Sequence, residues 1–398
     1  MTPFTRYALI AAILYLTFST TVVSAQAPPR ITKVAHLDDG IFGADETYRS
    51  VQLRIPWVYV LDRDGGLHTF KMRGNRLHEF ASGLMGSLPI KLHAWANAGN
   101  DSSPSPLQFV NSIATIGDGN DLELIENALV LTSNGKLAVY SIDEPSDPKH
   151  IMNIGPKAKA DSQSIVRAGS QVFALGKQTI SAFNFSIPLK PEYTSTSNNA
   201  RGNWNGCSDG KFLYVSERAV EPNGRMGIAV YNVTDPKTIV YKHFISTPRL
   251  AYHVFINSDD YLVACLDSKS RFHSVSSNNI TVAGSTSIFE TYDDAKPKLI
   301  STVDGCGGRS SVAITYKRKT ILLCNGIAFS SQSAKLDARY KFFPDGHTLD
   351  GAPYGGDQYG QYAALATDND IPVFRIGNST SFRIGQQVGL LLKLLALP

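Results

Sequence analysis

Short apolar, β-branched and aromatic runs recur along the chain, and most are answered after a polar turn by a second such run. Seven first runs can be counted: residues 57–60, 129–131, 172–174, 212–215, 261–264, 320–323 and 362–364. Their partners are 67–70, 137–142, 180–185, 228–233, 287–292 and 371–376, while the sixth unit has no clear partner before Phe342. A turn rich in Asp and Pro then leads to a third run: Ser146-Asp147-Pro148 before 150–154, Thr234-Asp235-Pro236 before 240–246, and Lys296-Pro297 before 298–303. Proline fixes φ and cannot donate to a ladder, so it marks strand ends. The pattern predicts antiparallel meanders of three or four strands, with no amphipathic helix of three turns between them.

Successive units begin roughly 40 to 70 residues apart, a spacing suited to propeller blades. One four-stranded sheet cannot bury both its faces, whereas sheets stacked around an axis bury them and leave only short edges. The expectation is therefore an all-β chain, a single β-propeller domain over residues 26–398 with seven four-stranded blades. Six blades, because the sixth unit is incomplete, and two stacked β-sandwich domains are the alternatives. Val230-Tyr231-Asn232-Val233-Thr234-Asp235-Pro236 and Val139-Tyr140-Ser141-Ile142-Asp143-Glu144-Pro145 resemble LVIVD-type propeller repeats, a likeness of blade type spanning about half the chain. It implies a fold and no reaction, since propellers host unrelated functions.

Hydrophobic residues make up 43% of the 398 and charged residues 18%, which supplies a core and excludes a disordered chain. The formal charge of +4 includes no dense Lys/Arg run, so nucleic acid is not an expected partner. Arg6, the apolar stretch 7–18 and Val23-Ser24-Ala25 read as a secretory signal cleaved after residue 25, too short for a membrane span. A secretory route suits the sequons at Asn184, Asn232, Asn279 and Asn378, with a poorer one at Asn100. Cys207, Cys265, Cys306 and Cys324 then suggest structural disulfides, with Cys306–Cys324 the favoured pair among three connectivities. The apolar tail 388–397 reads as a terminal packing element, a lipid-anchor signal being the lesser alternative.

Candidate chemistry follows from the repeat. The strand before each first run should line the channel, which brings Arg49, Trp204, Tyr252, His253, Arg309, Asp357 and Tyr359 near the starts of channel-facing strands. Aromatic walls with a few polar groups are the general form of a small-molecule site. Such side chains also plug channels and satisfy loop carbonyls. His253 is the natural acid or base. His347, in the long Gly- and Tyr-rich stretch 340–362, is suited to a loop over the mouth. Asp62-Arg63-Asp64-Gly65 and Asp118-Gly119-Asn120-Asp121-Leu122-Glu123 offer oxygen ligands but complete no calcium loop, and they read as Asx-rich turns. No G-x-S-x-G, P-loop or HExxH motif is present, and no metal or cofactor is expected.

Secreted size, sequons, cysteines and an all-β plan together resemble, in layout, the fungal propeller hetero-Diels-Alderases, which join tropolone quinone methides to terpenes such as humulene. The resemblance implies a cofactor-free cycloaddition on a small organic substrate in secondary metabolism. Arg49, Arg309 and His253 would then be catalytic orienters, and Trp204, Tyr252, His347, Asp357 and Tyr359 ligand contacts. A non-catalytic extracellular binding or adhesion propeller is the competing expectation, and a lactonase-like hydrolase a third.

Overall fold

The computed structural model describes residues 29–37, 48–62, 65–72, 105–115, 120–133, 136–155, 162–198, 203–218, 226–256, 262–266, 285–290, 297–304, 311–316, 319–324, 327–332, 335–341, 355–359, 362–367 and 370–378. Residues 32–375 form one compact unit, to which the following applies; the second unit, 1–31 with 376–398, is described only where two strands run into it.

Every element among the described residues is a strand. Strand β1 is Pro29–His36. A first meander follows as β2 (Tyr48–Arg54), β3 (Trp57–Asp62), β4 (Gly66–Met72) and β5 (Ser105–Ala114). A second is β6 (Leu122–Ile125), β7 (Ala128–Ser133), β8 (Lys136–Ser141) and β9 (Lys149–Ile154). A third is β10 (Ser162–Ala168), β11 (Gln171–Gly176), β12 (Ile180–Asn184) and β13 (Glu192–Ser197). The fourth comprises β14 (Asn203–Ser208), β15 (Phe212–Arg218), β16 (Met226–Asn232) and β17 (Val240–Ser246). The fifth comprises β18 (Ala251–Ile256), β19 (Leu262–Leu266), β20 (Ser285–Glu290) and β21 (Lys298–Asp304). The sixth comprises β22 (Ser311–Tyr316), β23 (Lys319–Cys324), β24 (Ile327–Gln332) and β25 (Lys335–Lys341), and the chain ends its strands with β26 (Gly355–Tyr359), β27 (Tyr362–Ala366) and β28 (Val373–Asn378).

Meanders two to six are five separate four-stranded sheets. The other eight strands form one sheet, ordered β2-β3-β4-β5-β1-β28-β27-β26. It consists of two runs of four, joined where β1 meets β5 in a short parallel contact at Ala35–Ser105 and His36–Pro106. The first strands close a circle: β2 touches β6, β6 touches β10, and so on through β14, β18, β22 and β26, which returns to β2. Among the described residues that circle holds five separate four-stranded sheets and, in the eight-stranded sheet, two further runs of four, which makes the fold a propeller and excludes two stacked sandwiches. The sixth unit, which lacked a partner run in the sequence, is a complete meander whose third strand is β24.

Each sheet is buried on both faces because alternate residues serve different neighbours. On β15 and β16, Leu213, Val215, Ala229 and Tyr231 pack against Val166, Phe173 and Leu175 of the third blade. The alternate residues Phe212, Tyr214, Ile228 and Val230 pack against Val254, Leu262 and Phe289 of the fifth. Second and third strands are therefore nearly continuous apolar runs, which is why they dominate the sequence pattern.

The outer edges repeat a device of their own. In blades one to five the fourth strand carries one extra residue at the same place: Val110, Ile151, Thr194, Lys242 and Ile300 are passed over in the pairing with the third strand. Beside that bulge an outer side chain crosses onto a buried ring. The pairs are Phe109 on Phe70, His150 on Tyr140, Tyr193 on Phe183 and Tyr241 on Tyr231, with centroids 5.2 to 5.9 Å apart. A bulge twists an edge away from further pairing, so these unpaired strands are poor templates for another chain.

Gly227 shows how closely the outer strands approach. A Cβ there would overlap the Ile245 carbonyl oxygen and come within 2.7 Å of the Phe244 ring. Gly227→Ala should lower stability by about 2–3 kcal/mol, read as a drop of several degrees in melting temperature.

Candidate functional site

At four of the junctions between neighbouring inner strands, side chains form the bridges. Asp357 on β26 accepts from the Leu53 amide of β2 at 2.7 Å. Gln52 on β2 donates to the Leu122 carbonyl at 2.9 Å and accepts from the Leu124 amide at 3.1 Å. Asp121, at the foot of β6, accepts from the Ile165 amide of β10 at 2.8 Å and from the Ser50 hydroxyl at 3.0 Å. Asn205 on β14 accepts from the Val254 amide of β18 at 3.2 Å. These rungs rise in step, Ser50 with Asp121 and Gln52 with Leu124, so the inner strands run in one direction and their C-terminal ends gather at one mouth.

At that mouth lies an open cavity of about 670 Å³, lined by Gln52, Leu53 and Arg54, by Glu123, Leu124, Glu126 and Asn127, by Arg167, and by Asp357, Gln358 and Tyr359. The volume falls in the range of sites for drug-sized ligands. Arg167 is held in place by its own blade and the next, its Nη1 donating to the Leu124 carbonyl at 3.2 Å and its Nε to the Gly169 carbonyl at 3.1 Å. The Nη1 of Arg54 is shielded from solvent and has no hydrogen-bond partner among the described residues. Tyr359 is 50% exposed and supplies an aromatic wall.

Three carboxyl groups stand close together in this part of the ring. Burial, with Asp357 and Asp121 nearby and only Arg167 opposing, pushes Glu123 up to about 8. Burial raises Asp357 to about 6 against the amides of Leu53 and Gln358, which hold it down. Burial also raises Asp121, although four hydrogen bonds favour its ionised form. At neutral pH Glu123 is therefore mostly a neutral acid, able to donate a hydrogen bond into the cavity.

The turn beneath Glu123 is strained. Glu126 is the first of two residues linking β6 to β7 and has φ of 54°, a conformation in which glycine is usual. Strain kept at a cavity wall points to a role for that side chain. Glu126→Gly should leave stability unchanged or raise it by up to about 1 kcal/mol. A loss of more than that on thermal denaturation would show that the turn is not strained.

Of the residues expected from sequence, Asp357 and Tyr359 line the cavity. Asp357 is also a rung between the last blade and the first. Arg49, Tyr252, His253 and Trp204 do lie on inner strands, but nearer their starts, away from the cavity; the Trp204 side chain is outside the described set. Arg309 and His347 lie outside the described residues, as do Asn279, Asn100, Cys306, residues 1–25, expected to form a secretory signal, and residues 388–397. Asn378 ends β28 and Cys324 ends β23, with neither side chain described. Cys207 is free, and burial followed by the charge of Asp209 raises its thiol pKa, which makes it unreactive.

Asp62, in the first acidic turn, accepts from the Gly66 amide and meets His68 Nε2, both at 2.7 Å, a closed turn within the first blade. Among the described residues no three His, Cys, Asp or Glu side chains are arranged to hold a metal ion. No helix among them is long and apolar enough to cross a membrane.

No protein-family model matches the sequence, and no curated protein sequence matches it. Solved structures do match in fold. The Pan2 WD40 domain of Neurospora crassa is 10% identical with a TM-score of 0.54, over 88% of this chain and 96% of that one. The WD40 β-propeller domain of Doa1 is 11% identical with a TM-score of 0.53, over 86% and 96%. The N-terminal domain of Nup159 is 8% identical with a TM-score of 0.52, over 89% and 97%. At such identities the likeness establishes a β-propeller and carries no ligand or reaction with it.

Proposed function

We propose that this chain is a secreted β-propeller that holds a small organic molecule at the mouth where its inner strands end and catalyses a cofactor-free cycloaddition on it. The observation that carries the reading is the juxtaposition in one cavity of the Glu123 carboxyl, which burial pushes up to about 8, with the guanidinium groups of Arg54 and Arg167. A cycloaddition needs no nucleophile and no metal. It is accelerated when two partners are held in a reactive orientation and when donors meet oxygen atoms that gain negative charge in the transition state. Glu123 would donate to a carbonyl oxygen, the two arginines would meet charge spreading onto neighbouring oxygens, and Tyr359 would stack on an unsaturated face. Gln52 and Asp357 fix the strands that carry these groups. The layout resemblance to the secreted hetero-Diels-Alderases agrees with this chemistry.

The exposure of Tyr359 and Arg167 at an open rim also suits non-catalytic recognition. Product analysis separates the two. The full chain, incubated with an oxygenated quinone methide and an electron-rich alkene, should enrich one stereoisomer of the adduct. A chelator should leave the enrichment unchanged, and Glu123→Leu with Arg167→Ala should reduce it at least about tenfold. Binding without any change in rate or stereochemistry would leave a binding protein, and loss of the rate with chelator would remove the cofactor-free mechanism.

A further inference from the structure

Two of the sequons occupy the same turn in adjacent blades, the one that leaves the third strand. Asn184 ends β12, and its Oδ1 accepts from the Ser186 amide at 3.0 Å and the Ser186 hydroxyl at 2.6 Å. Asn232 ends β16, and its Oδ1 accepts from the Thr234 amide at 3.0 Å. In the second blade Ser141 takes the same place and accepts from the Asp143 amide at 3.1 Å. The position is thus a turn cap of the blade itself.

The middle residue of each sequon, Phe185 or Val233, is buried and anchors the turn, while Ser186 and Thr234 face solvent. In both, the cap uses only the amide oxygen. Nδ2 makes no hydrogen bond among the described residues, unlike Nδ2 of Asn127 and Asn111, which donate to Asp143 and Asp147.

The turns also lie at the cavity end of the ring. The Phe185 amide donates to the Ser170 carbonyl and the Val233 amide to the Lys211 carbonyl, so each adjoins the turn that leaves the inner strand of its blade. In the third blade that neighbouring turn is the one that positions Arg167 through Gly169.

We infer that Asn184 and Asn232 are N-glycosylation sites, that both glycans stand on the cavity end of the ring, and that the Asn184 glycan adjoins the rim at Arg167. The co-reactant is an oligosaccharide on a lipid-linked pyrophosphate. Asparagine Nδ2 attacks the anomeric carbon, the carbon–oxygen bond to pyrophosphate breaks, the lipid pyrophosphate departs with the electron pair, and one amide proton passes to a base of the transferase. Because the turn uses only Oδ1, attachment at Nδ2 breaks none of the hydrogen bonds that form the cap. Ile187, 61% exposed beside the first sequon, is apolar surface that such a glycan would cover.

The test is expression of the full chain, with its own N-terminal segment, in a eukaryotic secretory host, followed by peptide-N-glycosidase treatment and mass-spectrometric site mapping. Both the Asn184 and the Asn232 peptides should be recovered as deamidated aspartate. Ser186→Ala with Thr234→Ala, which keeps both asparagines, should remove two glycan steps in gel mobility, and Ser186→Thr should retain the first. Secreted protein whose two peptides are unmodified, or a chain that never reaches the secretory lumen, overturns the inference. Neither result depends on whether the cavity binds a ligand.

Discussion

Asp370→Ala should destabilise the protein by about 3–4 kcal/mol and release its N-terminal strand. Asp370 is only 8% exposed and sits in the turn before β28. Its Oδ2 accepts from Lys33 Nζ at 2.8 Å, and its Oδ1 accepts from the amides of Leu37 at 3.0 Å and Ile371 at 2.7 Å. Lys33 and Leu37 lie on and just after β1, the strand that completes the last blade beside β28. The carboxylate is therefore the clasp between the first described strand and the last blade. Without it, the buried Leu37 amide has no acceptor and the Lys33 ammonium no partner. Asp370→Asn, which keeps an acceptor but not the charge, should cost about half as much. Melting curves give the magnitude, and limited proteolysis should remove β1 sooner from the alanine variant than from wild type. A variant that melts within a degree of wild type would mean that β1 is held by its backbone pairing alone.

The second large effect concerns Glu123 and pH. Its carboxyl is raised from 4.5 in the unfolded chain to about 8 in the folded one. Between those values the folded state keeps a proton that the unfolded state has released, so stability falls as pH rises. The penalty is absent below the unfolded value and complete above the folded one. Asp357, raised from 3.8 to about 6, adds a smaller fall of the same sign at lower pH. Glu123→Gln cannot ionise. Denaturant titrations should therefore give equal stabilities for variant and wild type near pH 4 and a variant more stable by about 2–4 kcal/mol near pH 9. Parallel curves across that interval would show that Glu123 is ionised in the folded state at neutral pH.

The fold was legible where burial is two-sided. Val58, Val60, Val172, Leu213 and Leu262 belong to strands covered on both faces, and such strands announce themselves as apolar runs. The outer strands do not: β9 is exposed along most of its length, so only its Asp-Pro turn marked it. In the sixth blade β24 ends Ser330-Ser331-Gln332, which reads as a turn although it pairs on both sides.

The proposed site was legible only in part, for a physical reason. Inner strands carry polar residues because side chains replace backbone pairing between blades, so Asp121 looked like one more turn residue when it is a rung of the ring. Glu123 gives no signal in an alternating Leu-Glu-Leu-Ile strand, since what perturbs its carboxyl is first its burial within the ring and then the charge of Asp357, far away in sequence and next to it in the circle. Aligning the blades brought the inner strands together correctly. Attention to their starts favoured Arg49 and His253, whereas Arg54 and Arg167 gather at their ends.

The most direct test of the proposed site is calorimetric binding of a set of oxygenated aromatic fragments, hydroxyquinones and aryl ketones among them, to three proteins. These are wild type, Arg54→Ala with Arg167→Ala, and His253→Ala. Fragments should bind wild type, bind His253→Ala with unchanged affinity, and bind the double-arginine variant at least about tenfold more weakly. Undiminished binding to the double-arginine variant with loss in His253→Ala would move the site to the opposite mouth and contradict the account.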